Sequence, residues 1–393
     1  MVRASKKIFI ASGGTGGHII PARCLADKLA IAGHKVTFFG DLKYVPYVRK
    51  TDSFASIVIT SSQIKKSPLS LIKAAFKISI GVLQSLYFFF RIRPGCVVAF
   101  GGYATFPILI AAFITRTKII LHEQNAHLGK VNRLFIDYAN KLVTSFVQTS
   151  GIDAKNSDKV VFTGNPVRKE ILALHKQEYI LPKNEDPQVR VDNKMGYDVL
   201  LTSDFYEGVK PKNMFNILVI GGSGGAKIFS EILPKAFFNL SEEIKSNIQV
   251  VQQCRRELVR STFDQYSSYN INIIVDAFFE DMPRLISEAH LVIARSGSSS
   301  IFEFCAAKKP MILVPFAKSA DDHQEKNAVF LEGSGAAIVI REDEFEINYV
   351  NEVLKELMSH PDILHKMSKN AADSASLNAT SDLSEVVLDS VES

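Results

Sequence analysis

The chain of 393 residues is 47% hydrophobic and 22% charged, which excludes a disordered protein and suggests two globular domains. Its formal net charge of +5 is too small to indicate a nucleic-acid-binding protein, although it still favours contact with an anionic membrane surface. The 4 cysteines are scattered without a CxxC pair, which argues against a zinc site or a disulfide framework and fits a reducing cytosol.

Apolar runs typical of buried strands alternate with helical stretches along the whole chain. The first strand, "KIFIAS", is followed at once by glycines, so the basic N-terminus is interpreted as leading into a buried strand rather than into a signal peptide. The alternation restarts at "NILVIGG" (216–222). Continuous apolar strands belong to parallel sheets covered on both faces. The sequence therefore predicts an α/β protein with two doubly wound, Rossmann-like domains facing each other across a cleft.

The predicted domain boundary lies near "GNPVR" (164–168). We expect a first domain over residues 1–165 and a second over 166–371, with a polar, loop-rich insertion at about 178–213. A helix at about 372–390 is expected to pack back on the first domain.

Each predicted domain opens with a glycine-rich turn between its first strand and first helix. The two turns are "SGGTGGH" (12–18) and "GGSGG" (221–225). Glycine lets a ligand approach the backbone closely, and the helix that follows offers free amides to an anionic group. The first turn does not match a Walker loop. It is not a full GxGxxG either, because Ile19 stands where the last glycine belongs. Asp41 ends the second strand, where dinucleotide-binding proteins carry an acid, so an NAD-dependent dehydrogenase is an alternative on this half alone.

Polar motifs follow other strands of both domains. In "RSGSSSIFE" (295–303), Glu303 fits either a capping box with Ser300 or a carboxylate that binds both hydroxyls of a ribose. In the first domain, His18 is a candidate general base because imidazole titrates near neutral pH, although a contact at the helix start is equally compatible with the pattern.

Taken together, these motifs resemble the MurG family, the N-acetylglucosaminyltransferases that convert lipid I into lipid II in peptidoglycan synthesis. The motifs that carry the resemblance appear in the family's order over residues 13–328: "GGTGGH", "GGYAT", "HEQN", "GNPVR", "GGSGGA", "RSGSSSIFE" and "DDHQEKNA". The resemblance implies a GT-B fold and an inverting transfer of GlcNAc from UDP-GlcNAc to the C4 hydroxyl of the lipid-linked muramoyl sugar. No cofactor or metal is implied, since UDP-GlcNAc is a substrate.

The resemblance also implies roles for individual residues. His18 and Glu123 are the candidate catalytic residues, and Gly14, Tyr103 and Asn125 lie on the acceptor side. Glu303 would hold the uridine ribose, Phe278 and Phe279 would flank uracil, and Ser223 and Arg168 would lie near the diphosphate. The full set of candidate donor-binding residues is Thr15, Gly16, Gly17, Asn125, Arg168, Ser223, Gly225, Phe278, Phe279, Ser296, Gly297, Glu303, His323 and Gln324.

The chain departs from the family's pattern at two places near the expected donor site. Gly224 stands where the second glycine loop carries glutamine, and a His-Gln-x-Gly stretch reads Gln252, Gln253, Cys254, Arg255. The second alternative is a subunit that binds a nucleotide sugar without catalytic activity, because such a subunit would need only the donor-binding half of the chain.

The apolar stretch 67–95 is a candidate membrane-binding helix. Its uncharged run between Lys77 and Arg91 spans only roughly 20 Å as a helix, against about 30 Å of hydrocarbon, so it is not expected to cross a bilayer. The apolar residues are flanked by basic ones, as in interfacial helices, although a core helix of the first domain is equally compatible. The flanking residues are Lys65, Lys66, Lys73, Lys77, Arg91 and Arg93.

The expected partners are UDP-GlcNAc, lipid I and other cell-wall synthesis proteins. The protein is expected to be peripheral at the anionic cytoplasmic face of the bacterial inner membrane.

Overall fold

The computed structural model describes residues 4–47, 52–63, 67–182, 214–222 and 224–392. The chain divides into two compact units. The first comprises Met1–Lys169, Ser298–Phe302 and Ser376–Ser393, and the second comprises Glu170–Gly297 and Glu303–Ala375. Residues 183–213 of the predicted insertion, and the candidate residue Ser223, lie outside the described residues.

The first unit is built on a seven-stranded parallel sheet in the order β3-β2-β1-β4-β5-β6-β7. Its strands are β1 (Lys7–Ala11), β2 (Lys35–Gly40), β3 (Ala55–Val58), β4 (Cys96–Ala99), β5 (Lys118–Glu123), β6 (Lys141–Thr144) and β7 (Val160–Phe162). The helices of this half of the chain are α1 (Gly16–Ile31), α2 (Pro68–Ile92), α3 (Phe106–Ile114) and α4 (Lys130–Phe135).

The second unit contains a six-stranded parallel sheet in the order β10-β9-β8-β11-β12-β13. Its strands are β8 (Phe215–Ile220), β9 (Ile248–Gln253), β10 (Asn272–Asp276), β11 (Leu291–Ala294), β12 (Met311–Leu313) and β13 (Ala337–Val339). The helices along the second half of the chain are α5 (Lys169–Leu174), α6 (Lys227–Phe238), α7 (Glu242–Ser246), α8 (Val259–Ser268), α9 (Met282–Glu288), α10 (Ser298–Ala306), α11 (His323–Gly333), α12 (Ile347–Ser359), α13 (Pro361–Asp373) and α14 (Ala379–Glu392).

The apolar strands form these sheets because helices cover both of their faces. In the first unit, side chains that alternate along β1 enter two different cores: Ile8 and Ile10 pack with α1, and Phe9 packs with α2 and α3. The C-terminal helix α14 belongs to the first of these cores through Leu383 and Val387. Strands buried on both faces are the signature of doubly wound sheets. The predicted class, two Rossmann-like α/β domains, is confirmed.

Each sheet has a point at which its strand order reverses. In the first sheet this point lies between β1 and β4, and in the second it lies between β8 and β11. The loops that leave two such strands run in opposite directions, which opens a crevice at the carboxyl edge of the sheet where ligands bind. The glycine turn 12–18 directly follows β1, and the glycine turn 221–225 directly follows β8. The fold alone therefore marks one candidate site in each unit.

Candidate active site

Two glycine loops pack against each other in the crevice of the first unit. A Cβ atom on Gly13 would lie 2.5 Å from Cβ of Ala104, and one on Gly102, whose φ is +78°, would lie 2.9 Å from the carbonyl oxygen of Gly13. Both positions therefore require glycine. The loop after β1 and the loop after β4 can approach this closely only through bare backbone.

Asp41 links these two loops from the end of β2. It is 6% exposed, and its carboxylate accepts a hydrogen bond from the backbone N–H of Gly14 at 3.4 Å and another from the hydroxyl of Tyr103. Burial, together with this bond to Asp41, raises the pKa of the Tyr103 phenol. The dehydrogenase alternative assigns the Asp41 carboxylate to a ribose, but here it holds Gly14 and Tyr103, two of the three residues predicted on the acceptor side.

His18 lies at the start of α1, half-buried beside the loop after β4. Its Nδ1 lies 3.1 Å from Oγ1 of Thr15, and a Cβ on Gly101 would lie 3.7 Å from its Cδ2 atom. In the tautomer in which Nδ1–H donates to Thr15, Nε2 carries the lone pair that a general base needs. Of the predicted residues, His18, Thr15, Gly14 and Tyr103 are brought together at this crevice.

Glu123 lies at the end of β5 and is only 2% exposed. Its carboxylate accepts hydrogen bonds from the backbone N–H and the side-chain amide of Asn125, both at 3.1 Å, and from Gly129 N–H and Asn132 Nδ2, both at 2.8 Å. Burial raises the pKa of Glu123, and these four bonds oppose the rise. A carboxylate surrounded in this way is suited to fixing the Asn125 loop, so its environment favours a positioning role over direct proton transfer.

The glycine turn of the second unit packs against the loop that follows β9. Gly225 has φ +65°, and a Cβ there would lie 2.7 Å from the backbone nitrogen of Arg255. A Cβ on Gly224 would meet nothing within 4 Å. The two places at which the sequence departs from the family's pattern are therefore neighbours in the structure, since Arg255 follows Cys254 directly beside this turn.

The loop after β11 is tied to the start of α11. The buried hydroxyl of Ser296 donates to the carbonyl oxygen of Gln324 at 2.8 Å, and Asn327 Nδ2 donates to the carbonyl oxygen of Ser296 at 3.1 Å. His323, the first residue of α11, places Nδ1 2.7 Å from the carbonyl oxygen of Ala320. The predicted donor-binding residues Ser296, His323 and Gln324 are thus brought together at the carboxyl edge of the second sheet.

Glu303 does not form the capping box that its spacing allows. Helix α10 begins at Ser298 after the N-cap Gly297, which has no side-chain capping bond, so Ser300 is the third helical residue and Glu303 the sixth. The capping interpretation of Glu303 is wrong, because a capping box pairs the N-cap with the third residue. Glu303 is 5% exposed, one turn beyond the helix start. This position favours the second interpretation, a ligand-binding carboxylate.

The two phenylalanines after β10 lie in different environments. Phe278 is 68% exposed, whereas Phe279 is 8% exposed. Asp276 holds the turn just before them, since its Oδ1 accepts from the N–H groups of Ala277 at 2.5 Å and Phe278 at 3.5 Å. Only Phe278 is therefore exposed enough to contact a nucleobase with most of its ring.

Arg168 is half-buried just before α5, in the first unit, and its role at the diphosphate stays a prediction.

The comparisons with known proteins cover both units. The profile of the Glycosyltransferase family 28 N-terminal domain matches residues 8–144, and that of the Glycosyltransferase family 28 C-terminal domain matches residues 216–385. A relative from Caulobacter vibrioides is 35% identical over 386 residues, covering 98% of both chains. Another, from Paramagnetospirillum magneticum, is 33% identical over 382 residues, covering 97% of this chain and 96% of its own. Both are named UDP-N-acetylglucosamine--N-acetylmuramyl-(pentapeptide) pyrophosphoryl-undecaprenol N-acetylglucosamine transferase.

The chain belongs to the MurG family. The crystal structure of Acinetobacter baumannii MurG is 26% identical in sequence, with a TM-score of 0.70 over 98% of this chain and 99% of that one. The resemblance inferred from the motifs is therefore confirmed, and the dehydrogenase alternative is wrong. Membership of the MurG family also accounts for the order in which the glycine loops and the polar motifs occur.

Two residues at the crevice of the second unit, Arg295 and Glu342, were not among the residues predicted from the sequence. Arg295 is 8% exposed at the end of β11, and its Nη2 lies 2.5 Å from Oε1 of Glu342. The acidic run "REDEFE" (341–346) is typical of a solvated turn, yet the side chain of Glu342 is only 23% exposed. The one available signal was an arginine at the end of a buried strand, a position at which a buried charge requires a partner.

Proposed function

We propose that this chain is the N-acetylglucosaminyltransferase that converts lipid I into lipid II. It transfers GlcNAc from UDP-GlcNAc to the C4 hydroxyl of the muramoyl sugar of undecaprenyl-pyrophosphoryl-MurNAc-pentapeptide. The observation that carries this function is identity of 33–35% over nearly the whole length of two proteins named for that reaction. A transferase must hold both substrates, and each unit offers a crevice of its own.

In the proposed mechanism the second unit binds the donor. Glu303 accepts hydrogen bonds from the ribose hydroxyls, Phe278 contacts uracil, and the Ser296 loop with Gln324 holds the sugar and the diphosphate. UDP leaves with negative charge, which the backbone amides of the glycine turn 221–225 stabilise. That no metal or other cofactor takes part stays a prediction.

The first unit supplies the acceptor site in this proposal. His18 removes the proton of the C4 hydroxyl as its oxygen attacks C1 of GlcNAc, which inverts the configuration at that carbon. Tyr103 and Gly14, held together by Asp41, line the same crevice. Glu123 holds Asn125 in place by accepting hydrogen bonds from its backbone N–H and its side-chain amide.

Replacing Glu303 tests the donor site. Loss of a carboxylate that binds two ribose hydroxyls costs about 1.5–3 kcal/mol, so Glu303→Ala is expected to raise the KM for UDP-GlcNAc roughly 10- to 100-fold. The measurement is transfer of radiolabelled GlcNAc to lipid I in detergent. Glu352→Ala is the matched control, because Glu352 is exposed on α12. An unchanged KM in Glu303→Ala would remove this residue from the donor site.

Replacing His18 tests the general base. His18→Ala is expected to lower kcat by about 10²- to 10⁴-fold, the usual contribution of a positioned base, while UDP-GlcNAc binding stays within about twofold. Calorimetric titration with UDP-GlcNAc measures the binding. Full turnover in the variant would exclude His18 as the base.

The wild-type chain tests the second alternative, a binding subunit without catalytic activity. If it bound UDP-GlcNAc but released no UDP when lipid I was supplied, it would be such a subunit.

We also propose that α2 docks the first unit on the membrane surface. Of the helices that the structure describes, only Ser70–Ile92 is long and apolar enough by length and composition to cross a membrane. Its residues Ala74, Gly81, Ser85 and Phe89 form a buried face toward the rest of the unit. The ring of Phe89 meets that of Phe9 edge-on, with 4.9 Å between centroids. A helix held along its length in this way is suited to lying on a bilayer rather than crossing it.

The opposite face of α2 is an exposed apolar stripe. Its members recur at helical spacing and are 55–69% exposed: Ile72, Phe76, Leu83, Tyr87 and Phe90. The described basic residues Lys73, Lys77, Arg91 and Arg93 are exposed on the same helix or just after it; Lys65 and Lys66 lie outside the described residues. Apolar side chains flanked by cations favour an anionic lipid surface. Such a surface fits a peripheral enzyme at the cytoplasmic face of the inner membrane, where other cell-wall synthesis proteins are further expected partners.

Charge introduced into this stripe is expected to release the protein from lipid. Each buried apolar side chain contributes about 1.5–3 kcal/mol, so the double variant Phe76→Asp/Leu83→Asp should bind phosphatidylglycerol vesicles at least about tenfold more weakly in a sedimentation assay. Phe238→Asp is the control, since Phe238 is an exposed phenylalanine of the second unit. Vesicle binding that survives the double variant would contradict docking through α2.

A further inference from the structure

We propose that Glu342 is a positioning residue of the donor site: with Arg295, it holds the loop after β12 in the conformation that binds UDP-GlcNAc. The proposal rests on the function proposed above and adds to it a residue from outside the family's motifs. Glu342 lies three residues after β13, whereas its partners lie after β11 and β12. It therefore connects three neighbouring strand ends of the second sheet.

The contacts of Glu342 are made by both of its carboxylate oxygens. Oε1 accepts from Arg295 Nη2 at 2.5 Å, and Oε2 accepts from the backbone N–H of Ala317 at 3.0 Å. Burial by itself would raise the pKa of Glu342, but the bonds from Arg295 and Ala317 outweigh it, so the pKa lies below its ordinary value. Glu342 is thus a negatively charged acceptor at neutral pH, while its neighbours Asp343 and Glu344 are exposed.

The guanidinium of Arg295 extends the same network along the loop after β12. Its Nη1 donates to the carbonyl oxygens of Val314 at 3.0 Å and Pro315 at 3.1 Å. Its Cζ atom lies over the ring of Phe316, 5.3 Å from the centroid. One ion pair therefore fixes four consecutive residues, 314–317, through two carbonyl groups, one ring and one N–H group.

This loop in turn places residues of the donor site. The N–H of Phe316 donates to Oε1 of Gln324 at 3.0 Å, and the carbonyl oxygen of Gln324 accepts from Ser296. Ser296 directly follows Arg295 in the chain. The ion pair between Arg295 and Glu342 therefore acts on the donor residues from both sides, through the loop that orients the Gln324 amide and through the backbone that carries Ser296.

The test compares Glu342→Gln with the control Glu344→Gln in the full chain. Glu342→Gln keeps the shape of the side chain and an acceptor for Ala317 but removes the charge that pairs with Arg295. We expect the KM for UDP-GlcNAc to rise about tenfold, while kcat and the KM for lipid I stay within about threefold. With no ligand bound, hydrogen exchange at the backbone amides of Val314 and residues 316–319 should be faster in this variant than in the wild type. The control should match the wild type in each measurement.

A second variant, Glu342→Asp, separates positioning from general stability. It keeps the charge on a shorter side chain and should recover part of the donor KM lost in Glu342→Gln. An unchanged donor KM in Glu342→Gln, a loss confined to kcat, or a fall in thermal stability with no change in donor KM would each overturn the proposal. If Glu303→Ala still raises the donor KM in the same assay, the proposed function stands and only the role of Glu342 falls.

Discussion

In each unit, the fold depends on two loops that approach each other closely at the carboxyl edge of the sheet. They can do so because glycine leaves the main chain there without a side chain. In the first unit, Gly13 and Gly102 bring two loops into backbone contact where the strand order reverses. In the second, Gly225 does the same against the loop at Arg255. A side chain at any of these positions would separate the loops that form the crevice. The same constraint thus creates both crevices, which differ in the polar residues that surround them.

The polar groups around the two crevices divide the work of the reaction in the proposed mechanism. The first unit holds a half-buried histidine beside a glycine loop, with Asp41 and Glu123 committed to fixing the neighbouring backbone. The second holds a buried carboxylate, Glu303, together with a network that converges on Gln324. Charges in the interior of both units are largely used for positioning, because a buried carboxylate or guanidinium that lacked hydrogen-bond partners would destabilise the fold.

Much of this could be predicted from the sequence, because the decisive signals are local. Apolar strands, the glycine turns that follow them and polar motifs at strand ends all lie within short segments, and they led to the two Rossmann-like domains and to the MurG family. The prediction that Ser296, His323 and Gln324 belong to one site came from the resemblance to the MurG family, whose motifs contain all three.

The remaining features depend on contacts between distant parts of the chain. The spacing of Ser300 and Glu303 fits a capping box, yet the helix begins at Ser298, and only the backbone reveals this. The acidic run at 341–346 gives no sign that Glu342 alone turns toward Arg295, 47 residues earlier in the chain. Burial likewise distinguishes Phe278 from Phe279, although the sequence presents them as equals.

In the proposed mechanism the second unit binds the nucleotide in the crevice between β8 and β11. A crystal structure of the protein with bound UDP-GlcNAc is the decisive test. We expect the ribose hydroxyls within hydrogen-bond distance of the Glu303 carboxylate and the diphosphate at the glycine turn 221–225. A nucleotide bound instead at the turn 12–18, with its ribose on Asp41, would contradict this mechanism.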